Sequence, residues 1–359
     1  MMAMARRPEV KTSRPAIAAI DSFGLAQHLV NAILHVPFRG ALRGAGNIVD
    51  RVSTAVVREV SRSFISYISG LPIDQFRSVE LVLDEMCRAT LGLSTLIHQV
   101  SIEQRTYGGV PGLFFAPKSG EPQGRILYLH GGGHIGSTPT MYAYFTSAIA
   151  NATQCEVFVA DYRLAPEFPF PADLEDAMNV LEALLSGEVP HSRMFIAGDS
   201  GGAGTACSLI YEAQAKSLPK IGGLILFSPE ADLAFEHESV QLNAEFDVLP
   251  WNIPTTPFLH GVNPKLGIVS AIDQDVRHWP PTFIAYGADE MFRDAIRVLV
   301  EHLREAGVET DSHEYPGMFH VFPILMPWAS SSRDVLHRLG NFASGVIDVA
   351  PLVDASIEL

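Results

Sequence analysis

The chain has 359 residues, 47% apolar but only 18% charged, against about 25% charged in ordinary soluble domains; that excludes a disordered chain and supplies a large core. With 25 basic against 40 acidic residues the formal charge is −15, which argues against a nucleic-acid partner. Cys87, Cys155 and Cys207 lie far apart with no Cys-x-x-Cys pair, so a disulfide scaffold or zinc cage is not expected, and a reducing, cytoplasmic compartment is.

In chain order, Arg6, Arg7, Lys11 and Arg14 precede an apolar stretch, Pro15 to Pro37, that Asp21, Gln27, His28 and Asn31 interrupt. Nothing reaches the roughly 18 consecutive apolar residues of a spanning helix. No transmembrane segment is expected, and a peripheral membrane contact through this basic start stays open. Residues 20 to 100 show helical periodicity without a convincing strand, as at Val49, Val52, Val56 and Val60, with a break at Gly70-Leu-Pro72. Two weak strands follow, Ser101–Tyr107 and Gly112–Ala116, expected as an antiparallel edge.

From about residue 123 short apolar runs alternate with helical patterns. The runs at 126–129, 157–160, 194–197, 224–227 and 283–286 are continuously apolar, as in parallel strands covered on both faces. Leu174, Ala177, Met178, Leu181, Leu184 and Leu185 step by three and four, as do Ile296, Leu299, Val300 and Leu303. Strand and helix repeating this way predict a doubly wound, mostly parallel sheet. The interval Pro229–Pro281, which holds Trp251, is twice an ordinary crossover. With the N-terminal helices it reads as a helical cap over the carboxyl edge of the sheet, where ligands bind in such folds.

The strand ending at Ala197 runs straight into Gly198-Asp199-Ser200-Gly201-Gly202 and then a helical stretch. Gly-x-Ser-x-Gly at a strand-to-helix junction is the pattern of a nucleophile on a turn too tight for neighbouring side chains, with the positive end of a helix aimed at its oxygen. The same five letters occur in chymotrypsin-like proteases, but those are antiparallel barrels with an upstream histidine in an Ala-Ala-His-Cys context that is lacking here. Earlier, His130-Gly131-Gly132-Gly133 follows a strand, and a glycine triplet can turn its amides toward an oxyanion. Gly132 and Gly133, with Gly201, are the expected donors, and His130 reads as a brace. Asp199 and the pair Asp161 and Arg163 also read as structural. Late in the chain, His320 in Tyr315-Pro-Gly-Met-Phe-His-Val-Phe322 follows a last strand, in the serine, acid, histidine order of such hydrolases. His313 and His337 are weaker candidates for the base.

His-Gly-Gly-Gly, then Asp161-Tyr-Arg-Leu-Ala-Pro-Glu167, then Gly-Asp-Ser-Gly-Gly resembles the hormone-sensitive-lipase family, the bacterial family IV esterases. The resemblance covers about residues 100 to 345. It implies an α/β-hydrolase fold: a mostly parallel eight-stranded sheet flanked by helices, with a helical cap. Residues 1–100 would be a helical segment contributing to the cap, and residues 101–359 the hydrolase domain with a cap insertion around 230–280. It also implies a serine carboxylesterase acting through an acyl-enzyme on short- to medium-chain acyl esters, without cofactor or metal, and often a homodimer. Two departures stand out: Gly201 where the family has alanine, and His134 where it has an aromatic.

The family writes Asp-Pro-Leu-x-Asp where this chain has Asp289-Glu290-Met-Phe-Arg-Asp294. Setting Phe292 on the leucine and Asp294 on the second aspartate puts Glu290 at the acid position, with Asp289 the alternative. Asp289 and Asp294 otherwise read as loop bracing and helix capping. An amidase or acyltransferase using the same residues stays open. So does a non-catalytic binding member of the fold, although such members have lost the base and His320 is present. No metal-ligand spacing occurs.

Overall fold

The computed structural model describes residues 48–250 and 255–349. The N-terminal basic residues and Trp251 lie outside the described residues. Eight strands form one sheet: β1 (Val100–Tyr107), β2 (Val110–Pro117), β3 (Arg125–Leu129), β4 (Glu156–Ala160), β5 (Met194–Asp199), β6 (Gly223–Phe227), β7 (Thr282–Gly287) and β8 (Thr310–Tyr315), in the order β1-β2-β4-β3-β5-β6-β7-β8. The pairs β3 with β4, β3 with β5, and onward to β8 are parallel. The expected antiparallel edge is present, with β1 and β2 paired antiparallel at the border of the sheet. Only β2 runs against the rest, because it is antiparallel to both β1 and β4.

Each continuously apolar strand feeds two cores, since successive side chains point to opposite faces. Leu127, Ile196, Leu224, Leu226 and Ile284 pack under the helices Ala172–Leu185, Ser200–Ala215 and Arg293–Glu305. Ile126, Tyr128, Phe195, Phe227 and Phe283 face the other way, against the helices Ala143–Thr153 and Ser330–Val349. The chain passes from β3 to β4 on one side and then crosses to β5 on the other. The loops after β3 and β5 therefore leave adjacent strands at the switch point, where a crevice forms. That is where the glycine run and Ser200 lie.

Before the sheet come the helices Ile48–Ser69, Ile73–Ala89 and Leu91–His98, the first two parted at the Gly70-Leu-Pro72 break. The second reaches over the switch point. Arg77 donates to the carbonyls of Ile135 (2.6 Å) and Ala165 (2.9 Å) and pairs with Glu167 at 2.7 Å. Thr138 donates to Asp84 at 2.6 Å. Between β6 and β7 the chain carries only the short helices Glu238–Leu242 and Thr256–Leu259 and one turn at Ala271–Asp273 among its described residues. The partners of Arg163 are Asp176 and Glu175, on the helix Ala172–Leu185. No described helix is long and apolar enough to cross a membrane.

Candidate active site

Strand β5 ends at Asp199 and the helix Ser200–Ala215 begins at once, leaving Ser200 in the bend with φ of 53°. A left-handed backbone costs a residue other than glycine roughly 1–3 kcal/mol, a strain that clusters at nucleophile elbows. The bend closes only because position 202 lacks a side chain: a Cβ there would lie 2.2 Å from the Leu129 carbonyl oxygen. Next door, Gly132 has φ of 120°, a conformation open in practice to glycine alone. Among the described residues, no protein acceptor takes the amides of Gly132, Gly133 or Gly201.

Asp199 ties this loop to the elbow. One carboxylate oxygen accepts the Gly131 amide and the Tyr128 hydroxyl, each at 2.9 Å, and the other accepts the Tyr142 hydroxyl at 2.9 Å. Burial pushes its pKa up to about 6, although these donors pull the other way. His130 is also held in place. Its Nδ1 lies 2.9 Å from the Ser137 hydroxyl, and its ring stacks on Tyr162 with centroids 4.5 Å apart.

His320 follows β8 and arrives from the far side. Its Nε2 lies 2.8 Å from Ser200 Oγ, and Phe292 packs perpendicular to its ring with centroids 4.9 Å apart. Of the two adjacent acids after β7, Glu290 is fully buried and turned toward the imidazole, its Oε1 3.8 Å from His320 Nδ1. That is ion-pair distance, longer than a hydrogen bond, and such contacts often tighten only with substrate bound. Oε2 is held by the Ser228 hydroxyl (2.7 Å) and the Gly287 amide (2.8 Å). Asp289 is half-buried, and its amide donates to the Met318 carbonyl. Asp294 does not cap its helix. It sits in the first turn, accepts the Ser239 amide at 2.9 Å and pairs with Arg293. His313 and His337 lie on β8 and on the helix Ser330–Val349, with His313 paired to Asp311. Burial alone would lower the His320 pKa. Glu290, with Asp247 and Asp199 behind it, outweighs burial and raises it.

Two residues of this arrangement carry no sequence motif. Asp247, in the interval between β6 and β7, is fully buried. Its Oδ1 accepts the amides of His320 (2.9 Å) and Val248 (2.8 Å), and its Oδ2 accepts that of Met291 (2.7 Å). One carboxylate thus joins the loops of His320 and Glu290, and burial raises its pKa to about 6. Ser228 does similar work, accepting the Val321 amide at 3.0 Å while donating to Glu290. Its place at the carboxyl end of β6 is the signal that could have found it. Nothing in the run around Asp247 could. Among the described residues, no group of three His, Cys, Asp or Glu could hold a metal.

A family model of the α/β-hydrolase fold matches residues 126–324, more than half of the chain and all of the residues just placed around Ser200. The chain belongs to the α/β-hydrolase fold family. This hydrolase is 30% identical over 273 residues to an esterase of Acinetobacter venetianus, covering 74% of this chain and 88% of that protein. It is 31% identical over 221 residues to an acetyl-hydrolase of Streptomyces hygroscopicus, covering 60% and 74%. A solved hormone-sensitive lipase from a metagenome library matches with a TM-score of 0.70 at 28% identity, over 80% of this chain and 99% of that one. The relationship to the hormone-sensitive-lipase esterases, expected from the motifs, holds.

Proposed function

We propose that this carboxylic ester hydrolase works through an acyl-enzyme on Ser200 and takes short- to medium-chain acyl esters. The observation that carries the reading is the 2.8 Å contact between Ser200 Oγ and His320 Nε2 inside a buried site. His320 takes the serine proton as Oγ attacks the ester carbonyl. The amides of Gly132, Gly133 and Gly201 receive the oxyanion, each worth roughly 3–4 kcal/mol if it acts like a donor in other oxyanion holes. His320 then protonates the leaving alcohol, and a water deprotonated by the same nitrogen releases the acid. Glu290 keeps the proton of Nδ1 in place and favours the imidazolium that forms.

The acetyl-hydrolase among the relatives supports a short acyl group. The N-terminal helices and the insertion form the cap in this reading. Arg77 supports it by gripping the loop at Ile135, as do Phe258, which stacks on His134, and Asp247, which holds the His320 amide. The three free cysteines, two of them buried, suit a reducing, cytoplasmic setting, and the family resemblance favours a homodimer. Rates with p-nitrophenyl esters from acetate to laurate test the substrate class, and an optimum at laurate would refute it. Pre-steady-state bursts test the acyl-enzyme. Ser200→Ala is expected to lose about 10⁴-fold or more in kcat, and near wild-type hydrolysis by that variant would end the mechanism.

A further inference from the structure

The two departures from the family pattern, His134 and Gly201, touch one another. An ideal Cβ on Gly201 would lie 3.0 Å from both Cδ2 and Nε2 of His134 and 3.2 Å from Glu230 Oε2. Alanine at 201 needs the ring or the carboxylate to yield. One departure makes room for the other.

His134 is only 5% exposed. Its ring lies flat on Phe258, centroids 3.6 Å apart and planes 10° apart. Both nitrogens face carboxylates. Nδ1 is 3.3 Å from Asp173 Oδ2, on the helix Ala172–Leu185, and Nε2 is 3.2 Å from Glu230 Oε2, just after β6. The nucleophile helix contributes the neutral Thr205, whose hydroxyl donates to the same Asp173 oxygen at 2.9 Å. Burial alone would strip the ring of its proton. The two carboxylates reverse that and raise its pKa to about 9. Glu230 also donates its own amide to the Ser200 carbonyl at 3.1 Å.

We propose that His134 is a positioning residue for the oxyanion hole: clamped between Asp173 and Glu230 and lying against Gly201, it locks the glycine loop to the first turn of the nucleophile helix. His134 directly follows Gly133 and itself has φ of 60°, so a shift of its ring is passed to the Gly132 and Gly133 amides. Glu230 faces the ring at ion-pair distance at one end and donates its amide to the Ser200 carbonyl at the other, which puts both sets of donors in one frame. Donors aimed at a developing charge act on the transition state more than on bound substrate. The clamp should therefore be felt in kcat. This inference rests on the esterase reading above.

The test compares the wild type with Glu230→Gln, Gly201→Ala, His134→Phe and the double variant His134→Phe/Gly201→Ala. Glu230→Gln and Gly201→Ala are each expected to lower kcat on p-nitrophenyl acetate about tenfold or more, with KM moving less than about threefold. Affinity for a trifluoromethyl ketone, which forms a tetrahedral adduct on serine, should fall by a similar factor. The kcat profile of the wild type should decline as pH passes about 9, and that limb should move to lower pH in Glu230→Gln. The double variant should lose less than the product of its two single losses, because it restores the family pair. His134→Phe strands two buried carboxylates and is expected to fold poorly, so Glu230→Gln, which keeps the side-chain volume, decides the matter. Variants with unchanged kcat and ketone affinity, or with KM alone raised, overturn the clamp. A His134 ring that titrates near 6.5 by NMR in Ser200→Ala overturns it as well, whatever the activity. A wild type inert to every ester overturns the esterase reading instead, and the inference with it.

Discussion

His320 and His134 are both buried and both face carboxylates; what differs is the group at the second ring nitrogen. His320 has Glu290 toward Nδ1 and the Ser200 hydroxyl on Nε2. His134 has Asp173 toward Nδ1 and Glu230 toward Nε2. A hydroxyl can give a proton to the ring or take one back, whereas an ionised carboxylate only accepts from it. Glu290, with Asp247 and Asp199 behind it, therefore raises the His320 pKa from one side, and Nε2 faces a group that can exchange a proton with it. Two carboxylates lift the His134 pKa to about 9, which favours the imidazolium at neutral pH. A buried imidazole becomes a usable base only when one of its faces stays neutral.

The largest expected effect tests the His320 side. Glu290→Gln should lower kcat about 10⁴-fold by favouring the wrong tautomer, while Asp289→Asn changes it less than about threefold. If the aspartate variant did the greater damage, the acid would be misassigned. In the proposed mechanism His320 must be neutral to accept the serine proton, so kcat/KM should rise with pH through its raised pKa, above 6.5. In the residual activity of Glu290→Gln, measured as a pH–rate profile, that limb should move to lower pH.

An intermediate effect tests the His134 side. A histidine whose folded pKa is raised adds stability that is complete below its unfolded value and is lost as pH climbs through the folded one. Between about 6.5 and 9 the wild type should lose on the order of 3 kcal/mol from this ring. Urea unfolding across that range measures the loss, and Glu230→Gln should flatten it. A wild-type curve already flat there would mean that the ring is not held as a cation. The smallest effect concerns the carboxylate that joins the loops of base and acid. Asp247→Asn keeps one acceptor oxygen but faces the Met291 or His320 amide with a donor. It should lower kcat about tenfold and stability by about 1–3 kcal/mol. Both are readable from one preparation by kinetics and denaturant titration.

Sequence alone carried the strands, the elbow and the glycine run because each is a local statement. A strand buried on both faces must be apolar throughout, and a bend at Ser200 needs glycine at 202 whatever else the chain does. Setting Phe292 and Asp294 against the family pattern points to Glu290 over Asp289 without any contact in view, and the structure turns Glu290 toward His320. The antiparallel pairing of β1 with β2 was legible too, whereas the sense of that pair against β4 is set only by the sheet. Asp247, Ser228 and the clamp of His134 between Asp173 and Glu230 escaped for a deeper reason. Asp173, His134 and Glu230 lie on three separate stretches of chain, and although His134 departs from the family pattern, nothing in the sequence joins it to either carboxylate. Only folding removes the water around them, and only then does the position of one carboxylate decide what a neighbouring imidazole can do.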